Sequence, residues 1–131
     1  MTTPPEMTPP PTGDALETLV ADWLTVPEVA DRFSLRLSAA RQLIVDREVL
    51  SSRIGAGKVV AIPTRFFDED GPRPELRGTF TVLADGGLRD DEIIEWLFTP
   101  DPTLPVEGAP IDAIWAGHKT EVRRRAMEIA L

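Results

Sequence analysis

The sequence predicts a mainly α-helical fold that carries one small β-hairpin, and three observations support this. Apolar residues recur at helical spacing through residues 15–47 and through most of residues 89–130. Only residues 49–62 change to a period of two, around a glycine-containing triplet. The chain has 131 residues, 42% hydrophobic and 27% charged, which suits one domain, or one small domain with an appendage.

Taken in order, residues 1–14 hold Pro4, Pro5, Pro9, Pro10 and Pro11 with four threonines and almost nothing apolar. They cannot bury enough surface to offset ordering entropy, and are predicted to be a disordered tail. Leu16, Leu19, Val20, Trp23 and Leu24 have helical spacing and predict a short helix or docking segment over 15–24. Thr25, Pro27 and Glu28 then form the signature of a capping box with proline in the first turn, opening a helix over 26–33. Leu35 and Leu37 are expected as apolar anchors of a short turn. Ser38 is expected to cap a second helix to about residue 47, with Ala40, Leu43 and Ile44 inward and Arg41, Gln42, Val45 and Asp46 outward.

Val49, Leu50 and Ile54 lead to Gly55-Ala56-Gly57 and then Val59, Val60, Ala61 and Ile62, a hairpin over about 50–62 that Pro63 ends. Residues 64–67 predict a helical turn that packs Phe66 or Phe67 on the core. Residues 76–84 fit a helix with Leu76, Phe80 and Leu83 inward, although their threonines fit a strand nearly as well. Gly86-Gly87 ends that segment. Asp90, Asp91 and Glu92 open the next helix, which Pro100 and Pro102 break. A short helix from Pro110 to about Gly117 follows. The last runs from Thr120 to Leu131, with Val122, Ala126, Ile129 and Ala130 inward and Arg123, Arg124 and Arg125 outward. Trp23, Trp96 and Trp115 are expected in the core.

Charge divides the chain. The net charge is −8, which argues against a polyanionic partner for the molecule as a whole. Yet residues 23–67 carry seven bases and four acids, between acidic segments on either side. Two short helices, a tight turn and a glycine-tipped hairpin inside that basic stretch match the pattern of a winged helix-turn-helix. The expected organisation is a tail over 1–14, a winged helix-turn-helix over 15–67 and a C-terminal helical domain over 68–131 packed on it. The expected partner is double-stranded DNA. Arg41 and Gln42 suit base edges, guanine for arginine and adenine for glutamine. Arg36 and Ser38 at the turn, and Arg47 after the helix, suit phosphates, while Arg53 and Lys58 flank the tip of the wing.

The residues also carry a resemblance. The run Leu24-Thr25-Val26-Pro27-Glu28-Val29-Ala30, the helix Ser38-x-x-Arg41-x-Leu43-Ile44-x-Asp46, and Val60-Ala61-Ile62-Pro63 resemble winged domains of the MerR and excisionase types. Arg47 stands where such domains often have a glycine, and Ala39 where a basic residue is frequent. Residues 83–102, and WLFTPDP over 96–102 above all, are similar to a small actinobacterial, mycobacterial-type DNA-binding family that pairs a winged helix with C-terminal helices. A member of that family is a Ser/Thr protein kinase substrate. The resemblance therefore implies a transcriptional regulator whose tail is phosphorylated, with weaker DNA binding as the result; Thr8 and Thr12 are the candidates. A second likeness, in Trp96-Leu97, Pro102, Leu104, Gly108, Pro110 and Glu121-Val122, is to the C-terminal domain of antitoxins that bind ADP-ribosyltransferase-like toxins. It implies an antitoxin-like or adaptor protein with a protein partner at the C-terminal helices.

Other chemistry is expected to be absent. Without cysteine there are no disulfides and no thiolate metal sites. One histidine, His118, has no second ligand or nucleophile beside it, so neither metal, cofactor nor enzymatic activity is expected. Gly55-x-Gly57 lacks the third glycine of a nucleotide loop, and residues 68–71 hold too few alternating carboxylates for a calcium loop. No apolar run reaches the roughly 20 residues of a membrane helix, and the N-terminus has no signal-peptide character, so a cytoplasmic location is expected.

Overall fold

The computed structural model describes residues 14–130; residues 1–13 of the expected tail, with Thr8 and Thr12, lie outside the described residues, and Asp14, the last of that tail, is helical. The elements are α1 (Asp14–Val20), β1 (Trp23–Thr25), α2 (Val26–Arg32), α3 (Leu37–Val45), β2 (Ser52–Ile54), β3 (Val59–Pro63), a 3-10 turn (Thr64–Phe66), α4 (Leu76–Asp85), α5 (Asp90–Phe98), α6 (Pro110–Trp115) and α7 (Lys119–Ala130). The architecture is mainly α with a small β-hairpin wing, followed by C-terminal helices, as the residue pattern predicts.

Helix α2 starts where its sequence says. The Thr25 hydroxyl accepts from the Glu28 N–H, and the Glu28 carboxylate accepts from the Thr25 N–H at 2.8 Å, a complete capping box. Four helices end alike, with the sixth backbone group bonded back to the first: Leu35 N–H to Ala30 O, Glu48 N–H to Leu43 O, Leu88 N–H to Leu83 O and His118 N–H to Ala113 O. Gly87 and Gly117 supply the left-handed residue in two of them; Ser34 and Arg47 do so in the others.

The hairpin gains a strand over residues expected as the end of a short helix or docking segment and, at Thr25, as a helix cap. Ala21 turns left-handed (φ 71°) and ends α1 early, and Trp23, Leu24 and Thr25 pair with Pro63, Ile62 and Ala61. The sheet order is β1-β3-β2, antiparallel throughout, so the wing is stitched to the start of α2. Three residues are too few to show a period, and only the partner strand reveals their state.

Both halves of the chain share one core. Phe66, fully buried on the 3-10 turn, packs at 5.2 Å from Phe80 of α4 and 5.9 Å from Phe98 of α5. Phe67 is buried beside Phe33 at 5.1 Å. Residues 76–84 are helical, with Leu76, Phe80 and Leu83 inward. At the seam, Trp115 Nε1–H donates to the Arg65 carbonyl, Arg65 pairs with Asp112 at 2.6 Å, and the Arg73 guanidinium lies 3.8 Å over the Trp115 ring.

Several inward expectations are corrected. Leu35 and Leu37 are exposed, because the backbone bonds of the α2 end hold the turn without them. Trp23 and Trp96 are half-buried, and Trp115 is 39% exposed, serving the seam with one face and its N–H. Ile129 is 52% exposed, since α7 projects past the core after Ala126. Arg123 and Arg125 turn inward: Arg123 reaches the Glu75 carbonyl beside Gly78 of α4, and Arg125 holds Glu121, Asp101 and Thr103. Hydrogen bonds from Arg124 and then Arg125 hold the Glu121 carboxyl below the usual carboxylate range.

Phe66→Ala should lower stability by about 3–5 kcal/mol through the cavity it leaves. Tryptophan fluorescence and far-ultraviolet circular dichroism should still give one coincident unfolding transition. Two separate transitions would contradict a shared core.

Candidate nucleic-acid interface

Helix α3 is set by its packing on α2. Ala40 is fully buried and Leu43 and Ile44 half-buried on the inner side. Ser38, Arg41, Gln42 and Val45 are all exposed on the outer side, three, four and seven residues apart. The outward set is thus the one the period predicts. Beside it, Val26 and Pro27 of α2, Arg41 and Ile44 of α3, and Val59 and Val60 of β3 line an open groove of about 400 Å³. This groove places Arg41 of α3 beside Val59 and Val60 of the wing.

Arg36 and Ser38 are exposed at the start of α3, but Ser38 is not the expected cap. Arg36 is the N-cap (φ −68°, ψ 153°) and the helix begins at Leu37, so Ser38 lies within the first turn and does not cap. Gln42 Nε2–H donates to Asp46 Oδ1 at 2.9 Å, which leaves its carbonyl oxygen and second N–H for other partners. In the wing, Gly55 (φ 74°) and Lys58 (φ 54°) shape the tip. Arg53 Nη1–H donates to the Lys58 carbonyl at 3.3 Å, tying the two basic residues across the hairpin. The Glu17 carboxylate of α1 accepts from the Gly55 N–H at 3.2 Å, a support no sequence signal announced.

Arg47 is diverted from its expected place. It occupies the left-handed position closing α3 (φ 58°), and both its Nη atoms donate to Asp90 of α5, at 3.0 and 3.3 Å. The end of α3 is thereby tied to the second half of the chain.

The bases divide into paired and unpaired sets. The ion pairs among the described residues engage Arg47, Arg65, Arg73, Arg89, Arg124 and Arg125. Arg32, Arg36, Arg41, Arg53, Lys58, Arg77 and Lys119 are all exposed and, among the described residues, make none. Five of these seven belong to α2, α3 with its N-cap, and the wing, while Arg77 and Lys119 lie in the C-terminal half. Among the described residues, no cluster of histidine, aspartate and glutamate could hold a metal ion, and no helix is long and apolar enough to cross a membrane.

Comparison with known proteins adds three findings. The family model of the Rv2175c C-terminal domain of unknown function matches residues 74–130. The DNA-binding protein Rv2175c of Mycobacterium tuberculosis (strain ATCC 25618 / H37Rv) is 34% identical over 131 residues, covering 92% of this chain and 88% of that one. The NMR structure of Rv2175c superposes with a TM-score of 0.78 at 32% identity, over 92% of this chain and 89% of that one.

The Arg47 position yields a stability test. A left-handed conformation costs a side-chain-bearing residue about 1 kcal/mol or more, and a half-exposed ion pair returns about 0.2–1 kcal/mol. Arg47→Ala should therefore destabilise, while Arg47→Gly should be about 1 kcal/mol more stable than Arg47→Ala. Equal chemical-denaturation midpoints for the two variants would contradict the observed backbone conformation.

Proposed function

Because the chain belongs to the family of the mycobacterial DNA-binding protein Rv2175c, we propose that it is a DNA-binding protein, not an enzyme, and a cytoplasmic transcriptional regulator. The observation that carries this reading is the set of five unpaired, exposed bases on α2, α3 and the wing, in a chain whose net charge is −8. In this reading α3 enters the major groove. Arg41 takes the N7 and O6 acceptors of a guanine, Gln42 an adjacent adenine edge, Arg36 and Ser38 the phosphates at the helix start, and Arg53 and Lys58 those beside the wing. Arg47 serves phosphates only if it leaves Asp90.

Arg41→Ala should weaken binding by about 1–3 kcal/mol and relax preference at one base position. Lys58→Ala and Arg53→Ala should instead weaken binding about equally on every sequence, each lowering the slope of log affinity against log salt by about one. Fluorescence anisotropy on specific and random duplexes, over a salt series, separates the two patterns. Equal losses for Arg41→Ala on all duplexes would make it a phosphate contact, and undiminished binding by all three variants would exclude this face.

Regulation by the tail extends the proposal through the resemblance to a family with a kinase-substrate member. A phosphate on Thr8 or Thr12 adds about −1.5 to −2 charges near a domain of modest positive charge, and competes with DNA phosphates for the same arginines. A Ser/Thr protein kinase is the implied partner. Phosphomimetic Thr8→Glu and Thr12→Glu should lower DNA affinity, and deletion of residues 1–13 should leave it equal or higher. Identical affinities for the three proteins at one low salt concentration would reject inhibition by charge.

A second reading, an antitoxin-like or adaptor protein, rests on the exposed Met127 and Ile129 near the end of α7. It assigns those side chains to a protein partner and leaves the basic face without a role.

A further inference from the structure

Three of the four side chains on the outer face of α3 are built to hydrogen-bond. Val45 is not. At 70% exposure it is the most exposed of the large apolar side chains among the described residues. The inward packing of α3 is complete without it, since Ala40, Leu43 and Ile44 supply that side. It shares a face with Ser38, Arg41 and Gln42, one turn beyond Arg41. A valine set among polar reading groups has a chemical counterpart on DNA. The major groove edge of each base pair presents donors and acceptors, and only thymine adds an apolar group, its C5-methyl.

Resting on the DNA-binding reading above, we propose that Val45 reads the C5-methyl group of a thymine in the major groove, making it a specificity-determining residue. Its β-branch holds χ1 stiff, so the two methyls are already placed and little rotamer freedom is lost on contact. In a helix the Cα–Cβ bond tilts toward the N-terminus, which leans Val45 back over the turn that carries Arg41 and Gln42. The rise from residue 41 to residue 45 is about 6 Å, or about two steps along DNA at about 3.4 Å each. The thymine therefore falls within about two base pairs of the guanine read by Arg41.

Deoxyuridine tests this directly, because it lacks the methyl and keeps every hydrogen-bonding group. The probe is a duplex selected by the full-length protein from a random-sequence pool, with its thymines replaced one at a time by deoxyuridine. For the wild type, one replacement should weaken binding about three- to fivefold, the value of one buried methyl-sized group. Val45→Ala should lose a similar factor on the thymine duplex and be indifferent to the replacement at that position. The variant changes an exposed residue, and its circular dichroism and melting curve should match the wild type. If no replacement couples to Val45 while Arg41→Ala still relaxes one base position, the valine assignment is overturned and the DNA reading stands. If no duplex is selected at all, the DNA reading falls and takes this assignment with it.

Discussion

The rest of the molecule depends on the burial of Phe66 between Phe80 and Phe98. The 3-10 turn that carries it ends the winged half, while its neighbours belong to α4 and α5. Halves of this size would each be marginal with a core of their own, and joining them through one aromatic side chain lets each half complete the other. The seam is reinforced by Arg65, Asp112, Trp115 and Arg73 around the same turn, and by Arg47 on Asp90 at the end of α3. The orientation of the exposed α3 face is therefore set by contacts far from it. The C-terminal helices act as its platform.

Charge is organised on the same plan. The second half holds twice as many acids as bases, and four of its arginines are consumed in pairs with its own carboxylates. In the winged half only Arg47 and Arg65 are consumed, each by an acid of the second half. What remains on α2, α3 and the wing is five cations beside four carboxylates, Glu28, Asp31, Asp46 and Glu48, that make no ion pair among the described residues, a balance far less acidic than that of the second half. Screening acts over about 8 Å at physiological ionic strength, so the many carboxylates of the second half weigh less at that surface than the charges it carries itself. A net charge of −8 is for this reason compatible with a polyanion at one face.

Much of this arrangement was legible in the residues. The Thr25–Glu28 box, the outward register of Arg41, Gln42 and Val45, the glycine-tipped wing and the Gly86–Gly87 stop each rest on a local rule: a side chain satisfying a nearby backbone group, a period of 3.6, or a backbone that tolerates positive φ. Where those rules compete or run short, the reading went astray. Ser38 carries a capping hydroxyl, yet the chain begins its helix at Leu37, because an extended Arg36 offers its own carbonyl to the Ala40 N–H. Trp115 has the composition of a core residue, and its size and indole N–H suit the seam better.

What the sequence determined by itself is thus local: where α2 starts, which face of α3 turns outward, where the glycine-tipped hairpin lies, and that the basic residues cluster in one stretch. What only the tertiary structure decided is pairing at a distance. The strand state of Trp23, Leu24 and Thr25 exists only against Ala61, Ile62 and Pro63. The support of Gly55 by Glu17 and the capture of Arg47 by Asp90 span 38 and 43 residues. The physical reason is that a hydrogen-bonded partner so far along the chain leaves no mark on local spacing. Which cations stay free is settled only when the core has brought the acids to their places.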